Sequence, residues 1–261
     1  MPARPSIVWA DSFAFVDPRL PLAPLGTEAR DGAAGRALRA VLFDAGNTLV
    51  FLDYSRLAEG VGSALGVPLT SNELARHGPA AARAMELANG TDQQRATAYL
   101  EALFLLGGVP RESLGQVRSC LMRMHHERHL WSSVAEHSAE SLARLRQAGL
   151  KLGVVSNSDG RVDQALEAAG LREYFDVVID SALVGVEKPD PRIFHAALEA
   201  LGVAPEEALY VGDLYEIDVL GAQAAGIDAV LLGTSEAMSD RNCRTARSIQ
   251  DLVNQLLLGK R

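Results

Sequence analysis

The residues of this chain best suited to chemistry follow short apolar runs that end abruptly. Asp44 follows Val-Leu-Phe, Ser156 follows Leu-Gly-Val-Val, and Asp213 follows Leu-Tyr-Val-Gly. Lys188 lies in a polar segment between the last two, and Asp218 comes shortly after Asp213. A carboxylate can attack an electrophile or bind a hard cation, and a lysine can balance its charge. If the fold brings them together, these residue types could supply a carboxylate nucleophile, bind a hard cation or hold an anionic substrate.

These side chains can meet if the runs before them are parallel strands of one sheet. From about residue 138 onward, strand patterns alternate with amphipathic helical patterns, and glycines end several of the helices. This alternation predicts an α/β fold with a doubly wound, Rossmann-like parallel sheet, whose strands all end at one crevice. We predict strands over 41–43, 152–155, 177–179, 209–211 and 229–232, and helices over 138–148, 162–169, 191–201, 218–225 and 249–258.

Residues 55–135 interrupt the alternation with a helical pattern. We predict helices over about 55–65, 72–88, 92–106 and 111–130, and no strand among them. This segment is expected to form an all-helical cap subdomain, which can shield a reaction from water. The predicted domains are a Pro/Gly-rich N-terminal extension over 1–38, an α/β core over 39–54 and 136–261, and the cap over 55–135.

The composition restricts the partners and the location of the protein. The 261 residues carry 25 basic and 33 acidic side chains, a net charge of −8, and no basic block that could follow a nucleic-acid backbone. No apolar run reaches the roughly 18–20 residues of a membrane span, and residues 1–38 lack the apolar region of a secretory signal. Two distant cysteines fit a reduced compartment. We expect a cytoplasmic protein with a small-molecule substrate, no nucleic-acid or membrane partner, and an open oligomeric state.

Four sequence motifs occur in a recognisable order. They are Asp-Ala-Gly-Asn-Thr from Asp44, the strand-end Ser156, Gly-Val-Glu-Lys-Pro-Asp around Lys188, and Gly-Asp at Asp213 with Asp218 after it. In this order they resemble the haloacid dehalogenase-like hydrolase superfamily, in the subfamily whose helical cap is inserted after the first motif. The resemblance covers roughly residues 40–235.

The resemblance implies a phosphatase in which Asp44 attacks phosphorus and forms an aspartyl-phosphate. Because an anionic phosphate resists attack by another anion, this chemistry needs a cation. The family pattern implies Mg²⁺ as the cofactor, bound by Asp44, the backbone carbonyl of Gly46 and Asp213. Asp218 is expected to support the metal, either directly or through water.

The remaining motif residues are expected to hold a small phosphorylated substrate. Ser156 and Lys188 would bind the phosphoryl oxygens, and Lys188 would also restrain the acidic groups beside it. Thr48 and nearby backbone amides would supply the remaining hydrogen-bond donors to the phosphoryl oxygens. Asn157 is included among the substrate-binding residues, although shaping the turn is its simpler role. The catalytic residues implied are Asp44, Ser156 and Lys188.

Gly46 departs from the family pattern, because phosphatases of this superfamily typically carry a second aspartate there. That residue protonates the leaving group, and such help is worth roughly 10²–10⁴-fold. One interpretation is a phosphatase that favours acyl or aryl phosphates or takes its proton from elsewhere. A second is a 2-haloacid dehalogenase-type hydrolase, since halide needs no proton, although those enzymes work without metal and lack the motif of Asp213 and Asp218. A third is a degenerate, non-catalytic member that binds a ligand or partner.

Two histidines of the last predicted cap helix could also do chemistry. His125 and His129 are four residues apart and could bind a metal on one helix face. Their charged neighbours favour a solvated face instead, and contact with substrate is a third interpretation.

Overall fold

A six-stranded parallel sheet forms the centre of the fold. The computed structural model describes residues 37–87, 90–233 and 243–258. Its strands in chain order are β1 (Ala40–Phe43), β2 (Val50–Leu52), β3 (Trp131–Val134), β4 (Lys151–Ser156), β5 (Val177–Asp180), β6 (Ala208–Gly212), β7 (Asp228–Leu232) and β8 (Arg244–Ala246). The large sheet has the order β5-β4-β1-β6-β7-β8, and every pairing in it is parallel.

Ten helices are described around this sheet and beside it. They are α1 (Tyr54–Leu65), α2 (Ser71–Leu87), α3 (Asp92–Leu106), α4 (Leu114–Glu127), α5 (Ser138–Gln147), α6 (Val162–Ala168), α7 (Ser181–Val184), α8 (Pro191–Leu201), α9 (Leu220–Ala224) and α10 (Ile249–Leu258). The predicted strands and helices are therefore present, and the doubly wound α/β class is confirmed.

The middle strand β1 is apolar throughout because both of its faces are covered. Val41 and Phe43 belong to a core cluster that includes side chains of α5 and α10. Ala40 and Leu42 point to the opposite face and pack in a cluster with α8. All four side chains are fully buried, as expected for a parallel strand between two helical layers. This burial fixes the position of Asp44 at the carboxyl end of β1.

Helices α1 to α4 form a subdomain with its own apolar core. Val61, Leu74, Leu103 and Phe104 are fully buried within that core. Side-chain caps set the starts of α1 and α3: Asp53 accepts a hydrogen bond from the Arg56 amide, and α3 begins with a capping box. The four predicted cap helices are therefore present.

Some elements differ from the sequence predictions. β3 lies inside the segment predicted to be only helical, and it pairs antiparallel with β2 in a separate two-stranded sheet. The helix predicted from residue 218 begins as a π-helical turn over Tyr215–Val219 and continues as α9. α7 and β8 were not predicted, since each is only three or four residues long.

The predicted extension over residues 1–38 lies outside the described residues, except for its last two. Among the described helices, none is both long enough and apolar enough to cross a membrane.

The centre of β4 leaves no room for a side chain. A Cβ atom on Gly153 would lie 2.7 Å from Leu42 Cδ2 and 2.8 Å from Val177 Cγ1. We expect Gly153→Ala to lower the free energy of unfolding by about 1–3 kcal/mol, because overpacking forces the neighbours to shift. Urea denaturation measures this change. Gly115→Ala is the control: its Cβ meets nothing within 4 Å in α4, so equal destabilisation of both variants would contradict the packing argument.

Candidate active site

Lys188 lies at the centre of a buried cluster of charged groups. Its ammonium donates hydrogen bonds to Asp44 Oδ1 at 2.5 Å, Asp218 Oδ1 at 2.7 Å and Tyr210 Oη at 2.9 Å. These contacts use all three N–H donors of the ammonium. Burial opposes the lysine charge, but the charges of Asp218 and Asp44 outweigh it and hold the pKa of Lys188 well above its usual range. Lys188 is therefore a permanent cation bound to the acidic groups.

Tyr210 is the uncharged partner of the Lys188 ammonium in this cluster. Its hydroxyl donates to the Val155 carbonyl at 3.0 Å and lies 3.2 Å from Asp218 Oδ1. Burial raises the pKa of Tyr210 well above its usual range, so the phenol stays neutral. Asp218 is fully buried and also accepts from the Leu214 amide at 2.9 Å. Sequence reasoning missed Tyr210, because a tyrosine in the middle of a strand is typical of an ordinary core residue.

Asn157 holds the backbone of Lys188 in place. Its amide nitrogen donates to the Lys188 carbonyl at 3.1 Å, and its amide oxygen accepts from the Lys188 N–H at 2.7 Å. This two-point contact resembles the pairing between neighbouring strands. Both polar atoms of the Asn157 side chain are therefore engaged in positioning the lysine loop, which accords with the turn-shaping role considered for this residue.

The loop after β1 is fixed by contacts at both of its ends. The Asp44 amide donates to the Val211 carbonyl of β6 at 2.8 Å. Asn47 takes a left-handed conformation with φ of 55°, which asparagine tolerates better than most residues. Its side-chain oxygen accepts from Trp131 Nε1 at 3.3 Å, and its side chain lies close enough to Asp213 to stabilise that carboxylate. Asn47 therefore links the first loop to both β3 and the acidic cluster.

Gly46 faces the indole of Trp131. A Cβ atom on Gly46 would lie 3.7 Å from Trp131 Nε1 and 3.8 Å from Trp131 Cδ1, which is ordinary van der Waals contact. Trp131 packs against both the sheet core and the helical core, as expected where the helical segment returns to the core. Its closeness to the position of the missing acid could not be predicted, because Trp131 is far from Gly46 in sequence.

Three carboxylates of the cluster can serve as ligands for a cation. One oxygen from each of Asp44, Asp213 and Asp218 lies within 4.8 Å of the others. Burial, only partly offset by Lys188, raises the pKa of Asp44 to about 7. Burial and the charges of Asp44 and Asp218 raise the pKa of Asp213 well above its usual range. A buried oxygen-rich site with excess negative charge fits a hard divalent cation such as Mg²⁺.

Two hydroxyls predicted to bind substrate are buried at the same edge of the sheet. Among the described residues, Thr48 Oγ1 is one of a few buried side-chain polar atoms without a hydrogen-bond partner. Ser156 Oγ makes only a long contact of 3.4 Å, to the Asn157 carbonyl. A buried hydroxyl without a partner carries a free-energy cost, which an incoming phosphoryl oxygen would remove.

Helix α3 brings side chains of the helical subdomain close to the acidic cluster. Tyr99 shares a hydrogen bond of 3.0 Å with Tyr54 of α1. Burial is the main reason that the pKa of Tyr99 is raised, and the charge of Asp213 adds to the shift. Arg95 Nη2 lies 4.0 Å from Glu187 Oε2, directly before Lys188 in the chain. The helical subdomain therefore contributes polar groups to the surroundings of the acidic cluster.

The chain belongs to the haloacid dehalogenase-like hydrolase family, because the model of that family matches residues 38–226. This match confirms the resemblance drawn from the four motifs. It also agrees with the parallel sheet and with the strand-end positions of Asp44, Ser156 and Asp213.

Individual relatives agree with this assignment. Haloacid dehalogenase-like hydrolase domain-containing protein 3 of Mus musculus is 42% identical over 52% of this chain and 54% of its own length. The chain likewise spans about half the length of other curated relatives that it matches. A glyceraldehyde 3-phosphate phosphatase of Methanopyrus kandleri is 31% identical over 78% of this chain and 89% of its own. A magnesium-bound hydrolase structure from Bacillus subtilis shares the fold, with 20% identity, a TM-score of 0.61, and coverage of 85% of this chain and 99% of its own.

The raised pKa of Asp44 predicts a pH dependence of stability without metal. The folded protein keeps the Asp44 proton up to about pH 7, whereas the unfolded chain loses it near pH 3.8. The folded state thus binds more protons, so the free energy of unfolding should fall as the pH rises through this window. Urea denaturation in chelator measures the slope, which Asp44→Asn should reduce.

The control for this slope is Asp163→Asn, which changes a surface aspartate paired with Arg172. It should keep the wild-type slope between pH 4 and 7. An Asp44→Asn slope equal to that of the wild type would show that Asp44 is already ionised at low pH.

Proposed function

We propose that this protein is a Mg²⁺-dependent phosphatase that hydrolyses a small phosphorylated substrate through an aspartyl-phosphate at Asp44. The observation that carries the proposal is the buried cluster in which Asp44, Asp213 and Asp218 face the single ammonium of Lys188. The excess negative charge suits a divalent cation, and a cation is what a carboxylate needs to approach a phosphate. The phosphatase name of the archaeal relative supports the same reaction.

In the proposed mechanism, Asp44, Asp213, Asp218 and the backbone carbonyl of Gly46 would hold Mg²⁺, which supplies charge neutralisation at the phosphoryl group. Lys188 fixes the Asp44 carboxylate for attack. An Asp44 oxygen forms a bond to phosphorus as the bond to the leaving oxygen breaks. Water then attacks phosphorus as the bond from phosphorus to the Asp44 oxygen breaks. The oxygen and both protons of the water leave with inorganic phosphate, and the Asp44 carboxylate is restored.

We assign the substrate phosphate to the hydroxyls at the carboxyl edge of the sheet. Thr48 and Ser156 would donate to phosphoryl oxygens, and Lys188 would add its charge without a free N–H. Asn157 would act through Lys188 rather than by touching substrate. The helical segment over 55–135 would act as the cap domain over a core of 39–54 and 136–261, in a cytoplasmic enzyme.

The substrate class follows from Gly46. Glycine cannot transfer a proton, so a poor alkoxide leaving group would depart slowly. Acyl and aryl phosphates release stable anions and need no such help. We therefore propose that the enzyme prefers phosphates with good leaving groups.

A 2-haloacid dehalogenase-type reaction is the second candidate, and Gly46 is the observation that favours it. Halide leaves without a proton, so that reaction needs no acid at this position. The carboxylates of Asp213 and Asp218 favour the metal-dependent reaction instead, because without a metal ion the one ammonium of Lys188 would face three carboxylates.

The decisive assay compares acetyl phosphate, para-nitrophenyl phosphate and 2-chloropropionate, each with Mg²⁺ and with chelator. We expect Mg²⁺-dependent release of phosphate that is lost in Asp44→Asn and kept in Asp163→Asn. Chloride release that survives chelation would support the dehalogenase. Normal folding with no turnover of any substrate, by wild type and variants alike, would support the non-catalytic interpretation.

The missing acid can be tested by putting it back. Because a Cβ on Gly46 makes only ordinary contacts with Trp131, we expect Gly46→Asp to fold. It should raise kcat/KM for an alkyl phosphate by up to roughly 10²–10⁴-fold and change acetyl phosphate hydrolysis far less. Gly46→Asn is the matched control, since it has the same shape and no acidic proton. Equal gains for both variants, or none for either, would argue against this role.

A further inference from the structure

A second group of metal-ligating side chains lies where the helical subdomain meets the core. His125 belongs to the last turns of α4, His129 follows that helix, and Asp159 lies in the loop after β4. One ligand atom from each of the three lies within 4.8 Å of the others. They come from two segments that are distant in sequence, so the fold itself brings them together.

His129 is oriented as a metal ligand would be. Its Nδ1 lies 3.3 Å from the Trp131 carbonyl, and a carbonyl can only accept, so Nδ1 carries the proton. The lone pair is therefore on Nε2. A histidine ligand in proteins commonly donates its other N–H to a backbone carbonyl in this way.

His125 and Asp159 supply the other two ligand atoms. His125 Nε2 lies 2.8 Å from Asp159 Oδ2, and His125 Nδ1 accepts from the Leu130 amide at 3.3 Å. Without metal, the Nε2 proton is thus shared with the carboxylate. A cation would replace that proton, and the imidazole would stay neutral by carrying its proton on Nδ1. The cost is the loss of the hydrogen bond from the Leu130 amide, which is long at 3.3 Å.

The His125 and His129 rings lie next to each other, on the same side as Asp159. Their centroids are 4.5 Å apart with planes at 62°, so the rings meet edge to face rather than stacking. The Asp159 side chain is about half exposed, which gives an ion a route in from solvent. Two imidazoles and one carboxylate, with water able to complete the shell, are a ligand set that suits Zn²⁺ and similar transition metals rather than Mg²⁺.

We propose that His125, His129 and Asp159 form a second cation site, for a transition-metal dication of the Zn²⁺ type. It is separate from the acidic cluster around Lys188 and does not depend on the proposed phosphatase activity. Because its ligands come from α4, from the segment directly after α4 and from the loop after Ser156, a bound ion would join the helical subdomain to the core. Arg161 already joins the same two segments by donating to the His125 carbonyl at 2.8 Å.

The first test is calorimetry of the untagged 261-residue chain with Zn²⁺, in the presence of excess Mg²⁺ to occupy the acidic cluster. We expect one Zn²⁺ per chain, and a loss of affinity of more than about tenfold in His129→Gln and in Asp159→Asn. His126→Gln is the matched control, because His126 is an exposed neighbour on the same helix. It should bind Zn²⁺ as the wild type does.

A second readout reports the place of binding. The Trp131 ring centroid lies 6.1 Å from that of His129, so Ni²⁺ or Co²⁺ at the site should quench Trp131 fluorescence in the wild type and not in Asp159→Asn. Asp159 is on an exposed loop, so this variant should fold even if a histidine variant does not. The proposal is wrong if wild type binds no Zn²⁺ under excess Mg²⁺, or if Asp159→Asn and His129→Gln bind it as tightly as His126→Gln.

Discussion

The buried ammonium of Lys188 is the interaction on which the rest of the site depends. Two carboxylates could not remain charged in this dry environment without a cation between them, and removing one partner of such a pair costs several kcal/mol. Lys188 bonds to both Asp44 and Asp218 at 2.5 and 2.7 Å. Two neighbours support this ammonium. Tyr210 accepts its third N–H, and Asn157 fixes the backbone of Lys188.

Much of this arrangement follows from the sequence, because its main signals are local. The apolar runs that end in Asp44, Ser156 and Asp213 predicted the strands, and the parallel topology then brought their ends together. α8 and α10 begin and end at the predicted residues, 191–201 and 249–258, since proline, glycine and amphipathic spacing mark them clearly. The apolar sequence of β1 also predicted a strand covered on both faces.

The rest depends on contacts between distant segments, which local patterns do not encode. β3 is only four residues long and contains two serines, and its partner β2 lies about 80 residues earlier, so no period-two signal predicted it. The motif around Lys188 predicted contacts with the substrate phosphate and with the neighbouring carboxylates. Only the geometry shows that all three N–H donors of its ammonium are taken by protein groups. Trp131 likewise became relevant only when the chain returned beside Gly46.

The antiparallel pair of β2 and β3 has a kinematic consequence. The chain leaves the core through one of these strands and comes back through the other, and the two are hydrogen-bonded from Val50–Val134 to Leu52–Trp131. Two separate linkers would let the helical subdomain slide and twist freely. A bonded ribbon restricts the movement of the helical subdomain relative to the core, because the two crossing segments must move together. Both strands of the ribbon are bonded to the loop of Asp44: Val50 of β2 exchanges backbone hydrogen bonds with Ala45 and Asn47, and Trp131 of β3 donates to Asn47 Oδ1. Bending of the ribbon would therefore act directly on that loop.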